Sequence, residues 1–139
     1  MSDRFDLQRF VDAQAPVYGR VVDELRNGRK QSHWMWFIFP QIAGLGHSAM
    51  AQRYAIASRD EAIAYLDHAV LGPRLRECTL LVNDWPGRPI GQILGHPDDL
   101  KFHSSMTLFA QVTAENREFA DALKTFYAGE PDQATLDRL

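Results

Sequence analysis

Cysteine is nearly missing from this chain: Cys78 is the single one in 139 residues. No intramolecular disulfide can form, which points to a reducing, cytoplasmic setting. Long apolar runs are missing too. The longest, Trp34 to Phe39, falls far short of the roughly 20 residues that a membrane span requires, so no membrane partner is expected. The opening residues, Met1-Ser2-Asp3-Arg4-Phe5-Asp6, hold no apolar core of the kind a secretory signal needs. There is no excess of basic residues either. The net charge is −3 and the isoelectric point near 5.9. General nucleic-acid binders usually show a basic footprint, so nucleic acid is not an expected partner. Internal repeats and low-complexity stretches are absent.

What is present fits one soluble domain spanning 1–139. A chain of this size buries roughly 68% of its unfolded surface, enough for one real core. The apolar spacing is helical throughout, and no alternating strand pattern outcompetes it. Leu7, Phe10, Val11, Tyr18, Val21, Val22 and Leu25 trace a first helix, with Asp6 as its cap and Asn27-Gly28 as its stop. Pro16 should kink or split it, and Gln14 reads as a satisfied buried amide. Ser32 is placed to cap a short buried helix from His33 that Pro40 ends, with a buried strand as the alternative.

Ser48 caps a further helix with Met50 and Tyr54 inward. Ser58 and Glu61 form a capping box before a helix burying Ile63 and Leu66. Gly72-Pro73 starts a helix with Leu71, Leu75, Cys78 and Leu81 or Val82 inward. Ile90 to Leu94 makes a short turn closed by Gly95, and Pro97-Asp98-Asp99 starts another. Ser104 or Ser105 is expected to cap a helix carrying Leu108, Phe109 and Val112. Phe119, Leu123, Phe126 and Tyr127 define the last long helix, stopped by Gly129, and Asp132 can cap a final turn. The expected architecture is all-α: a single compact multihelical domain of seven to eight short helices.

The segment Lys30 to Gln41 carries the most chemistry. Lys30, Ser32 and His33 precede its aromatics, and Lys101, His103, Ser104 and Ser105 repeat that chemistry later. Each set would put a cation, an imidazole and hydroxyls at a helix start, where free N–H groups favour anions. Trp34 or Trp36 could stack on a flat ring. The plainer reading makes the serines simple caps and the lysines exposed. His33 is the candidate acid or base, because an imidazole titrates near neutrality. Asp98 or Asp99 could supply a partner carboxylate. Gly44-Leu45-Gly46 lacks the strand and third glycine of a dinucleotide fingerprint, so no such cofactor is expected, though it can shape a pocket rim. His33, His47, His68, His96 and His103 show no metal-ligand spacing, and no metal is expected. Cys78 lies on an apolar stripe and reads as inert core. Arg26, Arg29 and Lys30 read as a solvated helix end.

These motifs also carry a resemblance. Phe5-Asp6-Leu7-Gln8-Arg9-Phe10, Gly28 to Trp36, Phe39-Pro40-Gln41, Gly44-Leu45-Gly46, Tyr54-Ala55-Ile56, Leu71 to Leu75 and Ser104 to Phe109 are similar to domain-of-unknown-function family 1810. The resemblance covers nearly the whole chain and implies a mainly helical single domain with no established activity. The label calpastatin attached to some members describes a disordered, repetitive inhibitor, whereas this chain is aromatic and unrepeated. Two positions depart from the family pattern: Ala69, where proline is usual, and His103.

Together these readings predict a protein that binds a small anionic ligand, phosphorylated or nucleotide-like, with hydrolysis as a further possibility. The expected pocket contains Lys30, Ser32, His33, Trp36, Gln41, Lys101, Ser104 and Ser105. The alternative is a non-catalytic interaction module using an exposed Trp34/Trp36 patch.

Overall fold

Proline at position 16 divides the first apolar stripe in two. It has no N–H to bond back to Asp12, so the stripe becomes α1 (Gln8–Gln14) and α2 (Tyr18–Arg26). The computed structural model describes residues 3–139. Eight more helices follow: α3 (Met35–Ile38), α4 (Ala49–Arg53), α5 (Arg59–Asp67), α6 (Leu71–Asn83), α7 (Ile90–Leu94), α8 (Asp98–Val112), α9 (Arg117–Tyr127) and α10 (Gln133–Leu136). The described residues thus form an all-helical domain. Its ten helices exceed the expected seven or eight because pieces of four or five residues complete a turn. Among the described residues a single parallel bridge joins Ile42 to Ile56.

Several ends form as the sequence dictates. Ser48 accepts from the Ala51 N–H, and Ser58 from the Glu61 N–H. Gly28 stops α2 at φ 69°, a left-handed conformation that glycine adopts without steric cost. Other expectations are corrected. Asp6 does not cap α1; it lies outside the helix at φ 51°. The Asp3 carboxylate takes that role, accepting from the N–H groups of Leu7 and Gln8 at 2.7 and 2.8 Å. On α5 the inward residues are Ala62 and Tyr65, whereas Ile63 is exposed. The Tyr65 hydroxyl is drawn inward by the Gln14 amide.

Helix α8 is the spine of the domain. It packs against α5, α7, α9 and α10, and Phe102, Met106, Leu108 and Phe109 on it are fully buried. Each buried phenylalanine contributes about 2–3 kcal/mol of transfer free energy. The aromatic segment leans on this spine: Phe39 meets Phe102 edge to face at 4.9 Å, and Trp34 lies against Phe39 at 6.3 Å. Gln14 binds the backbone of that segment from the other side, donating to the Phe37 carbonyl at 2.7 Å. It is the satisfied buried amide that its place on the stripe implies.

Candidate functional site

Glu24 organises the start of the aromatic segment. It lies on the buried face of α2 beside Val21 and Leu25. One carboxylate oxygen accepts from the N–H groups of Gln31 and Ser32 at 2.7 and 2.9 Å, and from the Trp34 indole at 3.0 Å. The other accepts from the Ser32 hydroxyl at 2.5 Å. Burial pushes the carboxyl up, but the hydrogen bonds from Ser32, Gln31 and Trp34 outweigh it and hold it below its ordinary value.

This arrangement corrects two expectations. Ser32 is not a helix cap, because its hydroxyl is spent on Glu24 and α3 begins only at Met35. Trp34 is not part of an exposed patch, because its ring is 1% exposed with its N–H satisfied inside. Glu24 itself escaped the sequence reading. The signal was available: an acid three residues after Val21 on an otherwise apolar stripe.

The two lysine-bearing segments do meet. Lys30 Nζ lies 2.8 Å from one oxygen of Asp98, and Lys101 Nζ 3.6 Å from the other. Each ammonium also sits over an indole, Lys30 over Trp34 at 5.2 Å and Lys101 over Trp36 at 5.1 Å. The carboxylate is thus shared unequally: Lys30 is held tightly and Lys101 loosely.

Beside Lys101 lies a small hole lined by Trp36, Phe39, Gln41, Ala51, Tyr54 and Lys101. Its volume is about 10 Å³, close to the space of one water. The Trp36 indole nitrogen is buried without a hydrogen-bond partner. A donor in that state is rare in native structures. The glycine loop supports the lining from behind. A Cβ on Gly46 would stand 2.6 Å from the Ala51 Cβ and 3.2 Å from the Gln41 amide nitrogen. Only glycine lets position 46 approach Ala51 and Gln41 this closely, whereas Gly44 packs against the Arg138 side chain.

Of the expected site residues, Trp36, Gln41 and Lys101 share this lining, and Lys30 joins them through Asp98. His33 is exposed and outside the lining. Ser104 and Ser105 do not cap a helix, because α8 already starts at Asp98 and runs through them. In that interior position the Ser104 hydroxyl lies 3.2 Å from the Leu100 carbonyl, the back-bonding position of helical serines, and its one proton is shared with the nearer Asp132 carboxylate at 2.8 Å. Ser105 is fully buried, and its hydroxyl has no partner. The start of α8 carries Asp98 and Asp99, so its positive end is already matched by carboxylates. Asp99 faces His96 at 2.9 Å and not His33. Among the described residues no group of three His, Cys, Asp or Glu side chains could hold a metal ion. Among them, too, no helix is long and apolar enough to cross a membrane.

Fold and site together define a small all-helical domain with an aromatic segment braced on its longest helix and a small, largely apolar hole bordered by Gln41 and Lys101. The chain belongs to the family described as Protein of unknown function (DUF1810), which it matches over residues 4–139. It is similar to a solved structure, the conserved hypothetical protein Rv1873 from Mycobacterium tuberculosis, at 59% identity and a TM-score of 0.97. That similarity covers 99% of this chain and 98% of the other. No curated protein matches the chain.

Proposed function

We propose that the protein binds a small anionic ligand through the hole beside Trp36. The unpartnered indole N–H of Trp36 carries this reading. Trp36 and Lys101 both line the hole, with the ammonium 5.1 Å from the Trp36 ring, so two donors, one of them charged, belong to residues of the same lining. Two such donors call for an acceptor, and the positive charge favours an anionic oxygen. Gln41 can donate or accept at the rim. With about 10 Å³ available, the hole admits one oxygen atom of a carboxylate or phosphate. The rest of the ligand would lie outside, over Lys101 and Gln41. A nucleotide base does not fit inside; a phosphorylated compound entering by its anionic end does.

Lys101 is suited to this role because Asp98 holds it at only 3.6 Å. His33 remains our candidate acid or base if the ligand is hydrolysed, acting from the exposed start of the segment. The one, buried cysteine supports a cytoplasmic setting.

The test is a thermal-shift and calorimetric screen of phosphate, small carboxylates and sugar phosphates. It compares the wild type with Trp36→Phe, which keeps a ring but removes the N–H, and with Lys101→Ala. At about ten times Kd a ligand raises stability by about 1.4 kcal/mol. That gain should disappear in both variants, while His33→Ala keeps binding and loses any turnover. Equal stabilisation of wild type, Trp36→Phe and Lys101→Ala sinks the proposal.

A further inference from the structure

We propose that a second site, for the phosphate end of a small phosphorylated compound, lies between Arg29, Lys30 and Arg88. These three cations line an open concavity of about 570 Å³ together with Gly91, Gln92 and Gly95. It shares no lining residue with the hole beside Trp36. In a chain of net charge −3, Arg29 and Arg88 converge here with no acid among the lining residues, while the Lys30 ammonium is taken up by Asp98, so positive potential is concentrated locally.

The concavity is built from distant parts of the chain. The Lys30 N–H donates to the Ile93 carbonyl at 2.6 Å, which fixes the Arg29-Lys30 segment alongside α7. Arg88 comes from the loop before α7 and is held in place. Its guanidinium lies over the Trp85 ring at 4.7 Å and donates through one nitrogen to the Gly28 carbonyl at 2.9 Å. Trp85 is in turn anchored by its N–H on the Leu25 carbonyl at 3.0 Å. Gly28 permits the stack, since a Cβ there would stand 2.7 Å from the indole.

An arginine held this way has little freedom left to lose on binding, and its remaining donors suit the oxygens of a phosphate. Gly91 and Gly95 contribute no side chain to the lining, so an anion can approach the backbone closely at those two positions, with the Gln92 side chain between them. Two acids stand nearby, and neither cancels the site. Asp98 engages Lys30, leaving Arg29 and Arg88 in excess. Asp99 uses one oxygen for His96 and the Leu100 N–H, while its other oxygen stands 3.9 Å from where a Cβ on Gly91 would be and offsets part, not all, of that excess.

The experiment is isothermal titration of the intact protein with inorganic pyrophosphate at low salt, repeated for Arg29→Ala, Arg88→Ala and Lys101→Ala. Arg29 is exposed, so Arg29→Ala keeps the fold and decides the matter even if Arg88→Ala loosens its loop. The expected result is a Kd below about 1 mM for wild type. Arg29→Ala and Arg88→Ala should each weaken it about tenfold, and do so equally in a Lys101→Ala background, where the hole beside Trp36 cannot contribute. Absence of pyrophosphate binding, or wild-type affinity in Arg29→Ala, overturns the proposal. Loss in Lys101→Ala alone also overturns it and places the anion beside Trp36 instead. Binding of a single-stranded oligonucleotide but not of pyrophosphate, falling steeply with salt, overturns it in favour of a polyanion surface.

Discussion

The indole N–H of Trp34 donates to Glu24 at 3.0 Å, tying the aromatic segment to the buried face of α2. The same carboxylate gathers the N–H groups of Gln31 and Ser32 and the Ser32 hydroxyl. Glu24→Ala would strand all of these donors in a partly or fully buried place. Each stranded donor costs about 1–3 kcal/mol, less where water can reach it. The expected total is a loss of about 3 kcal/mol or more, with Glu24→Gln losing less because an acceptor oxygen remains. Urea unfolding reads this as a fall in midpoint at unchanged slope. A loss below about 1 kcal/mol for Glu24→Ala would show that Glu24 is not the brace described.

The same group makes stability depend on acid. Its carboxyl is held below the ordinary value of 4.5, so the folded state favours the ionised form. That contribution is complete above the ordinary value and is lost as pH falls through the lower folded value. Wild-type stability should therefore decline below about pH 4.5 more steeply than that of Glu24→Gln. Other carboxylates, including Asp3, which backbone hydrogen bonds also hold low, act equally in both proteins and cancel in the difference. Parallel acid curves for the two would refute the assignment.

Much of this architecture is legible in the sequence, and the failures have physical reasons. The helices around Val21, Leu75 and Phe119 follow from apolar spacing, because burial rewards one face. The stops of the first and last of these follow from Gly28 and Gly129, where the backbone turns left-handed. Ser48 and Ser58 are readable as caps because each stands directly before a helical run, and Ser58 has Glu61 three residues on. Ser104 and Ser105 misled because a serine inside a helix looks locally like one in front of it. Only the packing of α8 from Asp98 onward, with Phe102 fully buried, decides between the two. The chemical likeness of the Lys30 and Lys101 segments hints at a shared site. Their meeting depends on Asp98, which joins Lys30 through a tertiary contact that local spacing does not encode. Arg88 had no local signal at all, as its hydrogen-bond partner Gly28 lies 60 residues away.

Cys78 should be chemically silent in the folded protein. It is fully buried on α6, and burial pushes its thiol up to about 12. At pH 8 almost no thiolate is present, and a reagent has no path to it. An aromatic disulfide reagent should label less than about a tenth of the protein within an hour natively and all of it in denaturant. Rapid native labelling would mean that α6 opens locally far more often than its packing implies.

Two glycines should respond to alanine in opposite directions. At Gly72 a Cβ would stand 2.1 Å from the Leu66 carbonyl oxygen, a backbone atom that cannot rotate away. Gly72→Ala should force α5 and α6 apart and cost about 1–3 kcal/mol or more. At Gly19, inside α2, a Cβ meets nothing within 4 Å. Gly19→Ala should stabilise by about 0.4–1 kcal/mol, by restricting the unfolded chain. Thermal melts of the two variants beside wild type test both signs at once.

Asp98 holds Lys30 and Lys101 together, and Asp98→Asn separates its structural and electrostatic effects. Lys30 is the tighter partner, with its side chain only 9% exposed. Losing a charged acceptor there should cost about 1–3 kcal/mol, because the ammonium stays largely buried. Lys101, at 3.6 Å, gives up little. It gains freedom to meet an anion beside Trp36, and the local charge becomes more positive by one. Anion affinity at that hole should therefore rise severalfold in Asp98→Asn while the melting temperature falls, a divergence that lost folding alone cannot produce. If affinity falls instead, Asp98 acts by positioning Lys101 and not by competing for it, and the ligand must then be taken up with the Lys101–Asp98 pair intact.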